Sequence, residues 1–210
     1  MSFFKGNHFD LRKEQTGTMR EKFMWYVIQV RTGTEEKICI QCKKTIPKSI
    51  MEHCFIPHYE EKRKIQGKWE TLQHVLFPGY VFVITNEIDK LRDKLKSVIG
   101  MTRLIGSGDD VVPLTDQEIA LLLSFGGDKQ LIEMSEGIII GDRIIINSGP
   151  LKGKEGYIRK INRHKRKAWL EIPFFGSMQT VQVGLEIVEK KIRNCKETKE
   201  YREIYHETGN

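Results

Sequence analysis

The chain has 210 residues, 39% of them hydrophobic and 30% charged, with a formal net charge of +7 and a pI near 9.2. That balance excludes an extended acidic or low-hydrophobicity disordered chain, fits one large or two small soluble globular domains, and favours an acidic partner such as nucleic acid. No apolar run approaches the ~18 residues that a membrane span needs, and no apolar leader is visible, so a cytoplasmic protein with reduced Cys39, Cys42, Cys54 and Cys195 is expected.

Residues 1–22 are polar with scattered Phe3, Phe4 and Phe9, and read as a flexible tail. Trp25 to Val30 is nearly all apolar, as a central strand covered on both faces requires. Thr34 is placed to cap a helix whose stripe is Ile38, Cys42 and Ile46 and which Pro47 stops. His53–Tyr59 and Trp69–Leu76 read as two arms of a long hairpin turning at Gln66-Gly67, with the charged run Glu60–Lys64 exposed. Phe77-Pro78-Gly79 enters a further strand at a sharp turn, and alternation sets Tyr80 and Phe82 on one face, Val81 and Val83 on the other. Ile88, Leu91, Leu95 and Val98 recur at helical spacing up to Gly100. Thr115-Asp116-Gln117-Glu118 is a capping-box pattern that opens a third helix, stopped by Gly126-Gly127.

The polar, glycine-containing stretch 126–137 reads as a linker. Beyond it, 138–190 predicts five short strands, the last two near Ser177–Val183 and Gly184–Glu189, with no helix. The basic excess collects here. Residues 20–126 hold sixteen Lys/Arg against fourteen Asp/Glu, whereas 138–190 hold ten against five. Lys152 and Lys154 lie in a glycine-rich loop, and Arg163, His164, Lys165, Arg166 and Lys167 at a hairpin tip; the reading groups both loops at one end of a small barrel. Period two sends Ala168, Leu170 and Ile172 inward and leaves Trp169 outward beside cations, either as a stacking platform for a base or as packing against a neighbour. The tail 191–210 alternates charges and fits a short helix or disorder equally.

Cys39-x-x-Cys42 with His53-Cys54 invites a zinc reading, but no second Cys-x-x-Cys follows, and small core thiols are the expectation. No phosphate-binding loop and no nucleophile–base–acid set is visible, so neither an enzyme nor a cofactor is expected.

The landmarks Trp25-Tyr26-Val27-Ile28-Gln29, Phe77-Pro78-Gly79-Tyr80-Val81-Phe82-Val83, Leu104-Ile105-Gly106 and Pro113–Glu118 resemble the NusG amino-terminal (NGN) domain. Gly141-Asp142, Ser148-Gly149-Pro150, Gly153, Gly156 and Phe175-Gly176 resemble the KOW barrel of the same bacterial family. The resemblance implies an α+β protein. An NGN sandwich (23–125), with a mainly antiparallel four-stranded sheet and three helices, is linked to a five-stranded SH3-like KOW barrel (138–190). It implies a monomeric, non-enzymatic transcription elongation factor. In this family NGN binds the clamp of the largest RNA polymerase subunit through positions matching Tyr26, Phe77, Tyr80, Phe82 and Leu104. The KOW domain recruits a second partner. The basic tip, the cysteines and the charged tail depart from the housekeeping pattern and resemble the LoaP group of antiterminators. For that group the expected KOW partner is nascent leader RNA, in single-stranded or hairpin form, held by Lys152, Lys154, Arg159, Arg163–Lys167 and Trp169. The alternatives are a housekeeping factor coupling polymerase to Rho or a ribosomal protein, with Phe175 as the KOW contact, or a ribosome-associated RNA-binding protein.

Overall fold

An apolar run such as Trp25–Val30 is stable only where both strand faces are covered, and the chain arranges that. The computed structural model describes residues 23–100, 102–107 and 110–191; the expected tail 1–22 and the stretch beyond Lys191 lie outside the described residues. Strand β1 (Met24–Val30) lies between β5 (Tyr80–Thr85) and β6 (Thr102–Leu104), with β2 (His53–Phe55) beyond β5. Every pairing in this four-stranded sheet, ordered β2-β5-β1-β6, is antiparallel.

Helices α1 (Glu35–Thr45) and α2 (Ile88–Leu95) pack on one face, where Ile38, Cys39, Cys42, Leu91 and Leu95 join Tyr26, Ile28, Val81 and Val83 in one core. Thr34 stands at the N-cap of α1 but donates its hydroxyl to Arg31 O at 2.6 Å, closing a local turn rather than capping a helix amide. The second helix ends at Leu95, short of the expected Gly100, because Lys96, Ser97 and Val98 tighten into bonds three residues back; Val98 still reaches the core.

The third helix, α3 (Asp116–Gly126), covers part of the opposite face with Ile119, Leu122 and Phe125. Its capping box forms in full: Thr115 accepts from the Glu118 amide, and the Glu118 carboxylate accepts from the Thr115 amide at 2.8 Å.

The hairpin of β3 (His58–Ile65) and β4 (Lys68–Val75) turns at Gln66-Gly67, as expected. The stretch read as a linker is ordered instead. After a 3-10 turn at Gly127–Lys129, β9 (Leu131–Ile132) pairs parallel with β3, and β10 begins at Ser135. The cause is apolar: Ile132 is buried against the core. A small ribbon, β7 (Gly106–Ser107) with β8 (Asp110–Val111), precedes α3.

The second domain is a five-stranded sheet of β10 (Ser135–Ile140), β11 (Arg143–Ser148), β12 (Ile158–Asn162), β13 (Lys167–Phe174) and β14 (Ser177–Lys191), ordered β11-β10-β14-β13-β12. Only β10–β14 pairs parallel within it. Ala168, Leu170 and Ile172 point inward as expected. The last strand runs unbroken through Gly184, where two strands were expected. Gly184 serves a close approach: a Cβ there would fall 2.4 Å from Glu60 O on β3 and 2.1 Å from Met134 Sδ. The two domains thus meet along β3 and β14, and a single apolar core runs through both.

Thr115→Ala removes the reciprocal cap of α3 and should cost about 1 kcal/mol. The expected reading is a lower urea midpoint at unchanged slope, largely restored by Thr115→Ser.

Candidate protein and nucleic-acid interfaces

Strand alternation sorts the expected polymerase residues onto two faces. Trp25 and Val27 on β1 share a core with Phe82 and Ile84 on β5, while Tyr26 lies with the helices. Phe77, Tyr80 and Phe82 therefore cluster on one side, and Tyr26 and Leu104 pack on the other. This corrects the single five-residue patch. Tyr26 follows Trp25 by one residue and must point the opposite way. Burial, with Asp89 nearby, pushes the Tyr26 phenol up. The aromatic that β1 contributes to the Phe82 side is Trp25, edge-on to Phe55 at 5.3 Å. Nothing in composition separates Trp25 from Tyr26; only the register, Val27 opposite Phe82, does.

The Pro78-Gly79 turn is held from below. Gly79, at φ +89°, donates its amide to Glu35 Oε1 at 2.6 Å, and its carbonyl accepts from Val30 N at 2.8 Å. Glu35 is almost wholly buried, so a first-turn carboxylate of α1 anchors the turn that presents Phe77 and Tyr80.

That aromatic cluster is covered by the second domain. Phe174 stacks on Phe77 with ring centroids 5.1 Å apart and lies 6.2 Å from Phe82. Phe175, at the β13–β14 turn with φ +55°, sits 5.1 Å from Tyr80, 5.7 Å from Phe77 and 6.1 Å from Phe82. A phenylalanine in the left-handed region costs roughly 1–2 kcal/mol, which the ring contacts of Phe175 offset. Beside this contact lies an apolar cavity of about 1100 Å³ between α3 and the Phe174–Met178 turn.

A second set of contacts across the seam is ionic. Glu61, expected at an exposed hairpin tip, has a side chain only 4% exposed and meets Lys167 Nζ at 2.8 Å. Arg63 and His74 also face this carboxylate, at 3.4 and 3.5 Å. Gln182 donates to Tyr59 Oη and to Glu61. Lys62 pairs with Glu186 at 2.8 Å, Glu186 with Arg166 at 3.1 Å, and the Arg166 guanidinium lies 3.5 Å over the Trp69 ring. Glu60 accepts from the Met134 amide. Burial pushes the Glu61 carboxyl up, but Lys167, His74 and Arg63 outweigh it and hold the group below its usual value.

The expected RNA-facing residues are likewise divided. Arg163, His164 and Lys165 are exposed at the β12–β13 turn, and Lys152 is exposed in its loop. Arg166 and Lys167 are taken up in the seam. Arg159 pairs with Glu171 at 2.9 Å, and Lys154 donates to Pro150 O and lies 5.2 Å over Phe125. The two basic loops do not share one end of the sheet. β12 separates them, and its five residues span about 16 Å. Trp169 is half-buried under Lys160 Nζ, 5.2 Å from the ring centroid. Lys160 is the cation that sequence reasoning misses. Its signal is the cross-strand pairing of 160 with 169, which becomes visible only with the register.

Cys39, Cys42 and Cys54 are buried together behind the sheet, with Cys39 and Cys54 Sγ 3.5 Å apart. Hydrogen bonds to Cys39 and Cys42, together with burial, push the Cys54 thiol well up. Among the described residues no cluster of three or more His, Cys, Asp or Glu side chains is arranged to hold a metal, and no helix is long and apolar enough to cross a membrane.

An α+β domain with an aromatic face is docked here to a β domain with a cationic turn. The family model described as transcription termination factor NusG matches residues 23–123. The chain is 29% identical over 184 residues to the transcription termination/antitermination protein NusG of Staphylococcus aureus strain Mu50 and equally to that of Staphylococcus carnosus; each alignment covers 84% of this chain and 98% of the relative. A solved structure titled "Domain interaction in Thermotoga maritima NusG" superposes with a TM-score of 0.51 at 25% identity, over 79% of this chain and 94% of that one. Over residues 23–123 the chain is similar to the NusG family, and over most of its length to NusG transcription termination/antitermination proteins.

Because its folded pKa is depressed, Glu61 stabilises the closed seam above the usual carboxylate range, and that contribution is lost as pH falls through the lowered value. The stability advantage of the wild type over Glu61→Gln should be level above the usual carboxylate range and shrink as pH falls below it, read as thermal midpoints. A difference that stays constant over that window would show that Glu61 is not ionised in the pair.

Proposed function

We propose that this protein is a NusG-family processive antitermination and elongation factor without enzymatic activity, acting as a monomer in the cytoplasm. Its amino-terminal domain receives the polymerase clamp on the Phe77–Tyr80–Phe82 face. Its KOW-like β domain holds nascent leader RNA, single-stranded or folded into a hairpin, through Arg163, His164 and Lys165, with Lys160 and Trp169 alongside. The observation that carries this reading is the aromatic cluster around Pro78-Gly79, within the stretch that matches the family. Aromatic side chains grouped on a rigid strand pair are typical anchors for an apolar partner element. Exposed cations beside an aromatic ring suit a polyanion whose bases can stack. Tethering RNA to a factor already on the polymerase raises its local concentration, so modest RNA affinity suffices to hold the clamp closed past a terminator.

The resemblance to the LoaP group rests on the basic turn. The housekeeping alternative, in which Phe175 contacts Rho or a ribosomal protein, uses a residue that packs here on Phe77, Tyr80 and Phe82. In both readings Phe175 must leave the aromatic face before both partners can bind.

The test is terminator readthrough with purified polymerase. Tyr80→Ala should weaken polymerase binding by about 2 kcal/mol, roughly thirtyfold. Neutralising Lys160, Arg163 and Lys165 together should spare polymerase binding and lower leader-RNA affinity, reducing the slope of log K against log salt by about 0.7 for each phosphate left unpaired. Unchanged RNA affinity would remove the RNA assignment and leave the polymerase assignment standing.

A further inference from the structure

The cavity beside the aromatic contact has no occupant in the functional reading above. Its volume of about 1100 Å³ is slightly more than the roughly 300–1,000 Å³ usual for small-ligand sites, and both domains wall it. Its floor is apolar, with Val27, Leu114 and Phe174 buried there. Its mouth is apolar too. Val112 and Met178 line it at 51% and 58% exposure, and an exposed apolar rim around a concave hollow marks a place for a ligand. The hydroxyls in the wall are spent. Ser124 donates to Leu121 O at 2.8 Å, Ser177 accepts from Gln179 at 2.7 Å, and Thr115 is closed into the capping box. Glu118 is the one charged residue among the described residues that line the cavity. Its bonds to the Thr115 amide and hydroxyl both use Oε2, so Oε1 keeps its lone pairs for another donor.

We propose that this cavity binds a planar aromatic amine in its cationic form, a small molecule rather than a macromolecule. The rings of Tyr157, Phe174 and Phe175 in the wall suit a flat apolar body, and the Glu118 carboxylate pairs with the charge of the amine. Ring faces attract a cation as well, so both parts of the wall select the same sign. An anion would instead be taken out of water beside a carboxylate, with no cation in the wall to meet it. The ligand touches α3 and residues 112–114 of one domain and the turn at 174–178 of the other, so the whole site exists only where the two meet. The site uses none of the cations assigned to RNA, and its assignment stands apart from that of the polymerase face.

The experiment is a fluorescence titration of the full chain with two three-ring probes of similar size, 9-aminoacridine as the cation and 9-anthracenecarboxylate as the anion, at neutral pH and physiological salt. The net charge of +7 makes non-specific attraction favour the anion. The cation should nevertheless bind about tenfold more tightly, the discrimination that one charge pair at a half-buried site supplies. Saturating 9-aminoacridine should also raise the melting midpoint. Glu118→Gln keeps the capping box, because glutamine serves at that position as well, and should remove the preference for the cation. Ala120→Phe, at an exposed helix position that lines the cavity, should abolish uptake of both probes. Cooperative melting of each variant shows that it is folded. Equal or tighter binding of the carboxylate overturns the proposal, as does a preference unmoved by Glu118→Gln or uptake that survives Ala120→Phe. No uptake by the wild type overturns it too, whether the chain's own tail or a second copy covers the cavity.

Discussion

Phe174 packed between Phe77 and Phe82 is the contact on which the closed molecule depends. It is 1% exposed, and it joins the core of the β domain to the aromatic side of the four-stranded sheet. Burying a phenylalanine is worth about 1.5–3 kcal/mol, and favourable ring geometry adds about 0.5–1.5 kcal/mol. The ion pairs beside it contribute differently. Desolvation cancels much of the attraction in a pair such as Glu61–Lys167, so the net gain is small while the cost of removing one partner is large. Apolar packing therefore supplies the affinity between the domains, and the charges decide register. The rings set on Phe77, Tyr80 and Phe82 come from the single turn at Phe174-Phe175, while Phe125 and Tyr157, 6.0 Å apart, make a second ring contact elsewhere on the seam.

The two faces of the sheet differ in what they can change. On the helix side, Ile38, Cys42, Leu91, Val81 and Val83 close a core that no second domain enters. Glu35 reaches from that side to the Gly79 amide and holds the Pro-Gly turn from beneath. The aromatic face is then presented by a backed, rigid element, so that Phe77 and Tyr80 are held in place from beneath as well as by their cover. The cover is a strained turn on the end of β13 and β14, a better candidate for movement than the sheet it rests on.

Local chemistry was legible in the sequence wherever neighbours in the chain decide it. The Thr115–Glu118 box, the Gln66-Gly67 turn, the stripe Ile38–Cys42–Ile46 and the inward set Ala168, Leu170, Ile172 all follow from spacing. What escaped depends on contacts between residues distant in the chain. Glu61 reads as solvated because everything near it in sequence is charged; it is buried by Lys167 and Gln182, more than a hundred positions away. Gly184 reads as a turn because its reason, the approach of Glu60 and Met134, lies in other elements. Leu131-Ile132 reads as linker because two apolar residues make no period, yet β3 gives them a sheet edge.

The candidate site divides along the same line. Phe77, Tyr80 and Phe82 belong to one short segment, and alternation alone puts Tyr80 and Phe82 together. Adding Tyr26 and Leu104 required the register between strands, which a single sequence does not contain. The basic turn was visible as a charge run, but a charge run does not say which of its members is already occupied. Arg163, His164 and Lys165 point to solvent while Arg166 and Lys167, the next two residues, point into the seam, because Arg166 turns the chain at φ +52° into β13. That one backbone reversal separates three exposed cations from two that are already engaged, Lys167 with Glu61 and Arg166 over Trp69.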